Sequence, residues 1–115
     1  MRHIKFTLAA ILLSAAPAVA HHGWGSYNAE TPITINATIE NISIGNPHGM
    51  MTLVYEGEPW MVTLAPPSRM QTRGATAEVV ANGKQVTAYG YPKRDGTKEI
   101  RAEWIEIDGK RMELR

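Results

Sequence analysis

The chain has no cysteine among its 115 residues. Disulfide bonds, thiolate chemistry and a zinc site built on cysteine are therefore excluded. An exported chain of this size often carries disulfides. Without them, this one has to be stabilised by strand pairing and one modest hydrophobic core.

Long apolar runs are also lacking, except at the start. Arg2 and Lys5 form a cationic beginning, Phe6–Ala16 is an apolar run, and Ala18-Val19-Ala20 is a small-x-small cleavage motif. This order is typical of a secretory signal peptide, and the run is too short to span a bilayer. We therefore expect residues 1–20 to be a cleaved signal peptide, the protein to be periplasmic, and the mature form to have no membrane span.

No excess of one charge is present. The formal net charge is +1, with 12 Lys and Arg residues against 11 Asp and Glu residues. Loss of Arg2 and Lys5 with the signal peptide would leave the mature chain slightly acidic. Sequence-independent binding of nucleic acid requires a basic face, so we expect no nucleic-acid partner.

Alternating apolar residues predict a β protein. Ile33, Ile35, Ala37 and Ile39 have the period of two that is typical of a half-buried strand, and the phase shifts near Asn41, which predicts a bulge or bend. A short helix is expected from Pro67 or Ser68 to about Arg73, closed by Gly74. Further strands are predicted over Met50–Tyr55, Trp60–Leu64, Gln85–Tyr91 and Lys98–Ile107, with a short final strand ending near Leu114.

Three strands, a short helix and two or more further strands are the element order of an OB-like fold. The sequence thus predicts the all-β class with one short helix, as a small OB-like antiparallel β-barrel of five to six strands. An open antiparallel sheet or a small sandwich is the alternative. We expect residues 21–32 to form an N-terminal arm and residues 33–115 a single domain.

Three histidines of the mature chain are candidate metal ligands: His21, His22 and His48. Cleavage after Ala20 would give His21 a free amine, which can chelate a metal together with its ring Nδ1, and a further imidazole would complete three nitrogens. His22 offers a competing mode, with an imidazole at position two beside the amine and the intervening amide. Copper(II) suits such nitrogen-rich sites, and zinc is the alternative metal.

Each candidate also has an ordinary structural interpretation. A terminal His-His pair can be frayed and exposed, and His48 can serve as a turn residue that hydrogen-bonds local backbone. Met50 and Met51 follow the His48 turn and are possible additional ligands for copper(I), although flexible fillers of a small core are the commoner role of methionine.

Large aromatic side chains are few, and each of the three tryptophans has an expected place. Trp60 and Trp104 are expected in the core, whereas Trp24, beside the histidines, is expected to hold the N-terminal arm against the fold. No serine or carboxylate motif indicates catalysis, and a chain this short leaves little room for a substrate surface. We therefore expect no enzyme activity.

Several motifs together resemble a known but functionally uncharacterised family. They are an opening His-His-Gly-Trp-x-Ser-Tyr, Gly45-Asn46-Pro47-His48, Trp60 with Leu64-Ala65-Pro66-Pro67-Ser68, Val86-Thr87-Ala88-Tyr89-Gly90-Tyr91-Pro92, and Asp108-Gly109-Lys110. The family resembled consists of small exported bacterial proteins with an N-terminal His-His-Gly-Trp and an Asn-Pro-His turn. Many members have an Arg-Arg-Gly-Trp-like stretch after the helix, where this chain reads Thr72-Arg73-Gly74-Ala75. The resemblance implies a periplasmic location and supplies no activity.

Two functional hypotheses follow from these residues. The first is a periplasmic protein that binds copper through His21, His22 and His48 and acts as a carrier, buffer or sensor. The alternative is a non-catalytic interaction module that binds another envelope protein, a peptide or a glycan without metal, for which the aromatic content and the barrel-like element order are the support.

Overall fold

A computed structural model describes residues 24–115, which form one twisted sheet with a short helix. The strands are β1 (Ile33–Thr38), β2 (Asn41–Ser43), β3 (Met50–Tyr55), β4 (Glu58–Thr63), β5 (Gln85–Pro92), β6 (Glu99–Ile107) and β7 (Lys110–Glu113), and the helix α1 covers Pro67–Thr72. The prediction of an all-β protein with one short helix is confirmed. No helix among residues 24–115 is long and apolar enough to cross a membrane.

The seven strands pair in the order β1-β5-β6-β4-β3-β2, with β7 on β6. Every pairing is antiparallel except that of β4 with β6, which is parallel. If β1 and β2 are counted as two halves of one interrupted strand, this is an OB-like strand order. The prediction of a closed barrel was wrong, because the sheet is not closed by strand pairing, and the strand count is seven rather than five or six.

The reason for the open ladder lies between β1 and β2. The Ile39 amide donates to the Lys84 carbonyl (2.9 Å), which extends the pairing toward β5, whereas the Glu40 amide donates to the Thr52 carbonyl (3.0 Å), which begins the pairing toward β3. The two ends of the sheet are therefore consecutive pieces of chain and cannot pair with each other. The bend expected near Asn41 is the point at which the chain changes partners.

The connections follow from local chemistry. A two-residue turn joins β3 to β4, with positive φ at Glu56 and Gly57. Helix α1 begins with Pro67, a residue suited to the first helical position, and Gly74 follows its end with a φ of 84°. On the helix, Met70 is fully buried and attaches α1 to the core.

Alternate residues of each strand face the core or the opposite side of the sheet, which we call the outer face. On β3, Met51 and Leu53 are buried in the core, so Met50 and Thr52 lie on the outer face. The largest fully buried side chains are Ile35, Ile39, Met51, Leu53, Leu64, Met70, Ile100, Ile105, Ile107, Met112, Val62 and Val80.

A register shift in β6 changes which residues face the core. Tyr89 is opposite Trp104 but Gly90 is opposite Ala102, so Glu103 is an extra residue on β6. This bulge moves Trp104 out of the core. The prediction that Trp104 is a core residue was wrong, whereas the same prediction for Trp60 is confirmed, since only 9 % of Trp60 is exposed.

Candidate functional site

The segment that follows the predicted terminal histidines is attached to one end of the sheet. Tyr27 forms an isolated β-bridge with Lys93, and the Asn28 amide donates to the Pro92 carbonyl (2.8 Å). The Arg94 amide donates in turn to the Ser26 carbonyl (2.9 Å). The start of the described chain is therefore fixed by backbone hydrogen bonds to the end of β5 and the loop after it.

Side-chain contacts fix the same segment to the outer face of β4 and β6. The Tyr27 hydroxyl donates to the Glu99 carboxylate, which also accepts from Thr63 Oγ1 at 3.3 Å. Tyr27 and Thr63 are 7 % and 2 % exposed, so the arm covers this part of the sheet. Burial, together with the adjacent Glu99 carboxylate, raises the pKa of Tyr27 to about 12.

Trp24 packs against two arginines. The guanidinium carbons of Arg101 and Arg115 lie 4.1 and 4.8 Å from the centre of its ring system, and the ring meets Tyr91 edge-on at a centroid distance of 6.2 Å. A guanidinium stacked on an indole is among the more favourable cation–π pairs. Trp24 thus makes the contacts expected of a residue that holds the arm against the sheet.

A second tyrosine–glutamate pair lies beside Trp24. The Tyr91 hydroxyl donates to the Glu103 carboxylate, and Arg115 forms an ion pair with the other oxygen of that carboxylate at 3.4 Å. The hydrogen bond to Glu103, with a smaller contribution from burial, raises the pKa of Tyr91 to about 12. Both carboxylates that flank Arg101 on β6 are therefore engaged by tyrosine hydroxyls.

His48 lies in the connection between β2 and β3, directly after the cis Asn46-Pro47 bond. The next residue, Gly49, is buried and directed at the core, because an added Cβ there would lie 2.6 Å from Met70 Sδ. By strand alternation His48 is on the outer face with Met50. Its ring is half-buried, and its Nδ1 atom is buried without a hydrogen-bond partner.

An unpartnered buried imidazole nitrogen is unusual, since buried polar atoms are nearly always hydrogen-bonded. The expectation that His48 bonds the backbone of its own turn is not met at Nδ1 in this structure. The His48 ring is thus half-buried, and its Nδ1 atom makes no hydrogen bond to the part of the chain that the structure describes.

The other predicted ligands divide into three groups. His21 and His22 lie outside the described residues, as does the predicted signal peptide, residues 1–20. The side chain of Met51 is buried in the core, and only Met50 shares the outer face with His48. Within residues 24–115, no three His, Asp or Glu side chains come together as a metal site.

The strand pairings around His48 show how far it lies from the arm. Met50, two residues after His48, is opposite Thr63 on β4, and Thr63 is beside Arg101 on β6, the residue on which Trp24 stacks. Two strand spacings amount to about 10 Å, and the two residues from Met50 back to His48 add about 7 Å along the strand, which puts His48 about 12 Å from Arg101. The three residues from Trp24 back to His21 can span about 10 Å when extended, so the arm has the length to bring His21 toward His48.

Sequence reasoning missed the residues that hold the arm. Neither Glu99, Glu103 nor Arg101 was singled out in the sequence as a site residue, yet the two glutamates form half-buried contacts with tyrosines and Arg101 stacks on Trp24. The available signal was the alternation of Glu99, Arg101 and Glu103 on one side of a strand whose other side is apolar.

The described residues define a small β protein with one mostly antiparallel sheet and an N-terminal segment fixed to its outer face. The chain belongs to DUF6152, a family of unknown function, whose model matches residues 9–101. The expected membership of an uncharacterised family is thus confirmed. No curated protein matches the chain.

Proposed function

We propose that this protein is exported to the periplasm, loses residues 1–20, and binds copper through His21, His22 and His48 as a carrier, buffer or sensor. The observation that carries the proposal is the buried, unpartnered Nδ1 of His48 on the sheet face to which the arm is attached. A metal-bound imidazole usually donates its second ring N–H to a partner that orients the ring; at His48, the packing around the half-buried ring would have to fix the orientation.

Two further features support the site. The arm is anchored at Trp24 and Tyr27, so the ordering of His21 and His22 around a metal would involve only the few residues before Trp24. Met50 lies on the outer face two residues after His48, and it is the candidate for an additional copper(I) ligand. Met51 would not take part because its side chain is in the core.

The test compares two forms of the protein that both begin with His21: one with a free terminal amine, and one whose amine is acetylated. Copper(II) is titrated into each, and the EPR spectrum is read for nitrogen hyperfine structure. The form with the free amine should bind one copper with three nitrogen ligands. The acetylated form should lose this spectrum, because its terminal nitrogen can no longer bind the metal; equal binding by both forms would refute the proposal.

His48 is tested in the processed protein by His48→Gln. The matched control is Val54→Ala, an exposed position at the other end of β3. The His48 variant should lose one nitrogen from the copper spectrum, whereas the Val54 variant should not change it. An unchanged spectrum in the His48 variant would assign the site to His21 and His22 alone and contradict the role of His48.

A specific observation also favours the alternative, an interaction module that binds a protein, peptide or glycan without metal. Trp104 is half-buried on the outer face, stacked on Tyr89 at a centroid distance of 5.4 Å and covered by Arg111 at 4.0 Å. Aromatic and arginine side chains are enriched in binding surfaces. Elemental analysis of protein purified from the periplasm separates the two functions. Stoichiometric copper supports the copper-binding function, and stoichiometric zinc supports the same site with zinc as its metal. Protein without metal but with an intact His21 terminus supports the interaction module.

A further inference from the structure

Three arginines meet near Trp24. Arg101 and Arg115 both stack against its ring system, at 4.1 and 4.8 Å from the ring centre. Arg69, on α1, donates through Nη1 to the carbonyl of Leu114 at 3.5 Å, which brings it next to Arg115. The three come from different elements, namely α1, β6 and the residues after β7, and they gather only in the folded protein.

Arg101 is the least compensated of the three. Its Nε is buried and has no hydrogen-bond partner, and within residues 24–115 it forms no ion pair. The two nearest carboxylates on its strand are directed elsewhere: Glu99 accepts from Tyr27 and Thr63, and Glu103 accepts from Tyr91 and Arg115. Burial lowers the pKa of Arg101, and the positive charges of Arg69 and Arg115 lower it further, against the opposite effect of Tyr27 and Glu99.

A half-buried guanidinium with no ion pair and an unpartnered Nε is unfavourable unless a hydrogen-bonding anion is supplied. Trp24 covers the guanidinium of Arg101, and the buried Nε–H at its edge is a donor that the described residues leave unused. A guanidinium presents its N–H donors as a planar fork that matches the two oxygens of a carboxylate or phosphate. The chemistry that satisfies Arg101 is therefore an oxyanion placed at the edge of its plane.

We propose that Arg69, Arg101 and Arg115 form a binding site for a small oxyanion, a phosphate or carboxylate group, beside Trp24. Arg101 supplies the buried Nε donor, Arg69 supplies a charge that is unpaired within the described residues from the solvent side, and Arg115 adds to it although it also pairs with Glu103. The site is independent of copper, because none of its residues is among the proposed metal ligands. A bound oxyanion would also neutralise the cations against which the arm is packed.

The test is an NMR titration of the protein, freed of metal beforehand by a chelating resin, with inorganic phosphate and, separately, with acetate at constant ionic strength. The signals followed are the Nε–H of Arg101 and the indole N–H of Trp24. Saturable shifts of both signals are expected. Tighter binding of phosphate would identify a phosphoryl ligand, and comparable or tighter binding of acetate would identify a carboxylate.

Variants distinguish a site from general charge attraction. Arg69→Gln changes an exposed side chain that does not stack on Trp24, and it should weaken binding about tenfold, the expected effect of losing one charged hydrogen bond. Arg101→Gln should abolish the saturable shift. The control is Arg111→Gln, because Arg111 also stacks on a tryptophan, at 4.0 Å from Trp104, but is already paired with Glu113 at 2.9 Å.

The control variant should bind as the unchanged protein does. Non-saturating shifts, or equal weakening in the Arg69 and Arg111 variants, would overturn the proposal. Because Arg69 lies outside the contact with Trp24, its variant keeps the test valid even if Arg101→Gln releases the arm.

Discussion

Removal of the Tyr27 hydroxyl should destabilise the protein more than removal of the equivalent hydroxyl of Tyr91. Both rings are largely buried, both hydroxyls donate to a glutamate of β6, and Phe preserves the shape of each ring. The two substitutions are therefore a matched pair, and they differ in the partners that each glutamate keeps after the tyrosine hydroxyl is removed.

The remaining partners set the magnitudes. After Tyr27→Phe, Glu99 keeps only the Thr63 hydroxyl at 3.3 Å, so we expect a loss of about 2 kcal/mol in the free energy of unfolding, typical of a hydrogen bond to a charged group. After Tyr91→Phe, Glu103 keeps its ion pair with Arg115 at 3.4 Å. The expected loss there is about 1 kcal/mol, in the ordinary range for one hydrogen bond.

Urea unfolding followed by tryptophan fluorescence and by circular dichroism measures both losses. The slope of the unfolding free energy against urea concentration should be the same in both variants, so that the shift in midpoint reports stability alone. A Tyr27 variant as stable as the unchanged protein, or less affected than the Tyr91 variant, would refute the assignment of Glu99 as the anchor of the arm.

Two further predictions follow from the described contacts. Gly90→Ala should cost at least about 2 kcal/mol of stability, because the added Cβ would overlap a main-chain oxygen of β6 that cannot move aside. The control is Gly45→Ala, where an added Cβ would have no atom within 4 Å. It should change stability by less than about 0.5 kcal/mol. In an absorbance titration of tyrosine ionisation, Tyr27 and Tyr91 should ionise near pH 12 rather than near 10. The folded form holds these protons more tightly than the unfolded chain, so their contribution to stability should be complete below about pH 10 and should decline as the pH approaches 12. If both tyrosines of the folded protein instead ionise near pH 10, the pairing with glutamate is contradicted.

The strands were predictable because their signals are local. Alternation located β1 and β5, and Pro67 with Gly74 bounded the helix. Pairing between distant strands leaves no such local trace. Barrel closure was inferred from element order alone, and the change of partner at Ile39 and Glu40 depends on two hydrogen bonds that no short window of sequence indicates.

Site residues were predictable only where chemistry depends on residue type. The histidines stand out as metal ligands in any context, whereas Arg101 and Glu99 are ordinary charged residues until the arm covers them. One extra residue at Glu103 was enough to reverse the side of the sheet on which Trp104 lies. A bulge of that kind is decided by the packing of the neighbouring strand, where Gly90 permits the close approach of the two backbones.

The parallel pairing of β4 with β6 has a consequence for how the chain acquires its structure. It joins the part of the chain before α1 to the part after it, as does the pairing of β1 with β5. Neither part can bury its apolar residues alone, so folding has to wait for the last strands, and contacts so distant along the chain are slow to form. A chain truncated after α1 would retain the β3–β4 hairpin with its apolar side uncovered, and aggregation is the expected fate of such a fragment.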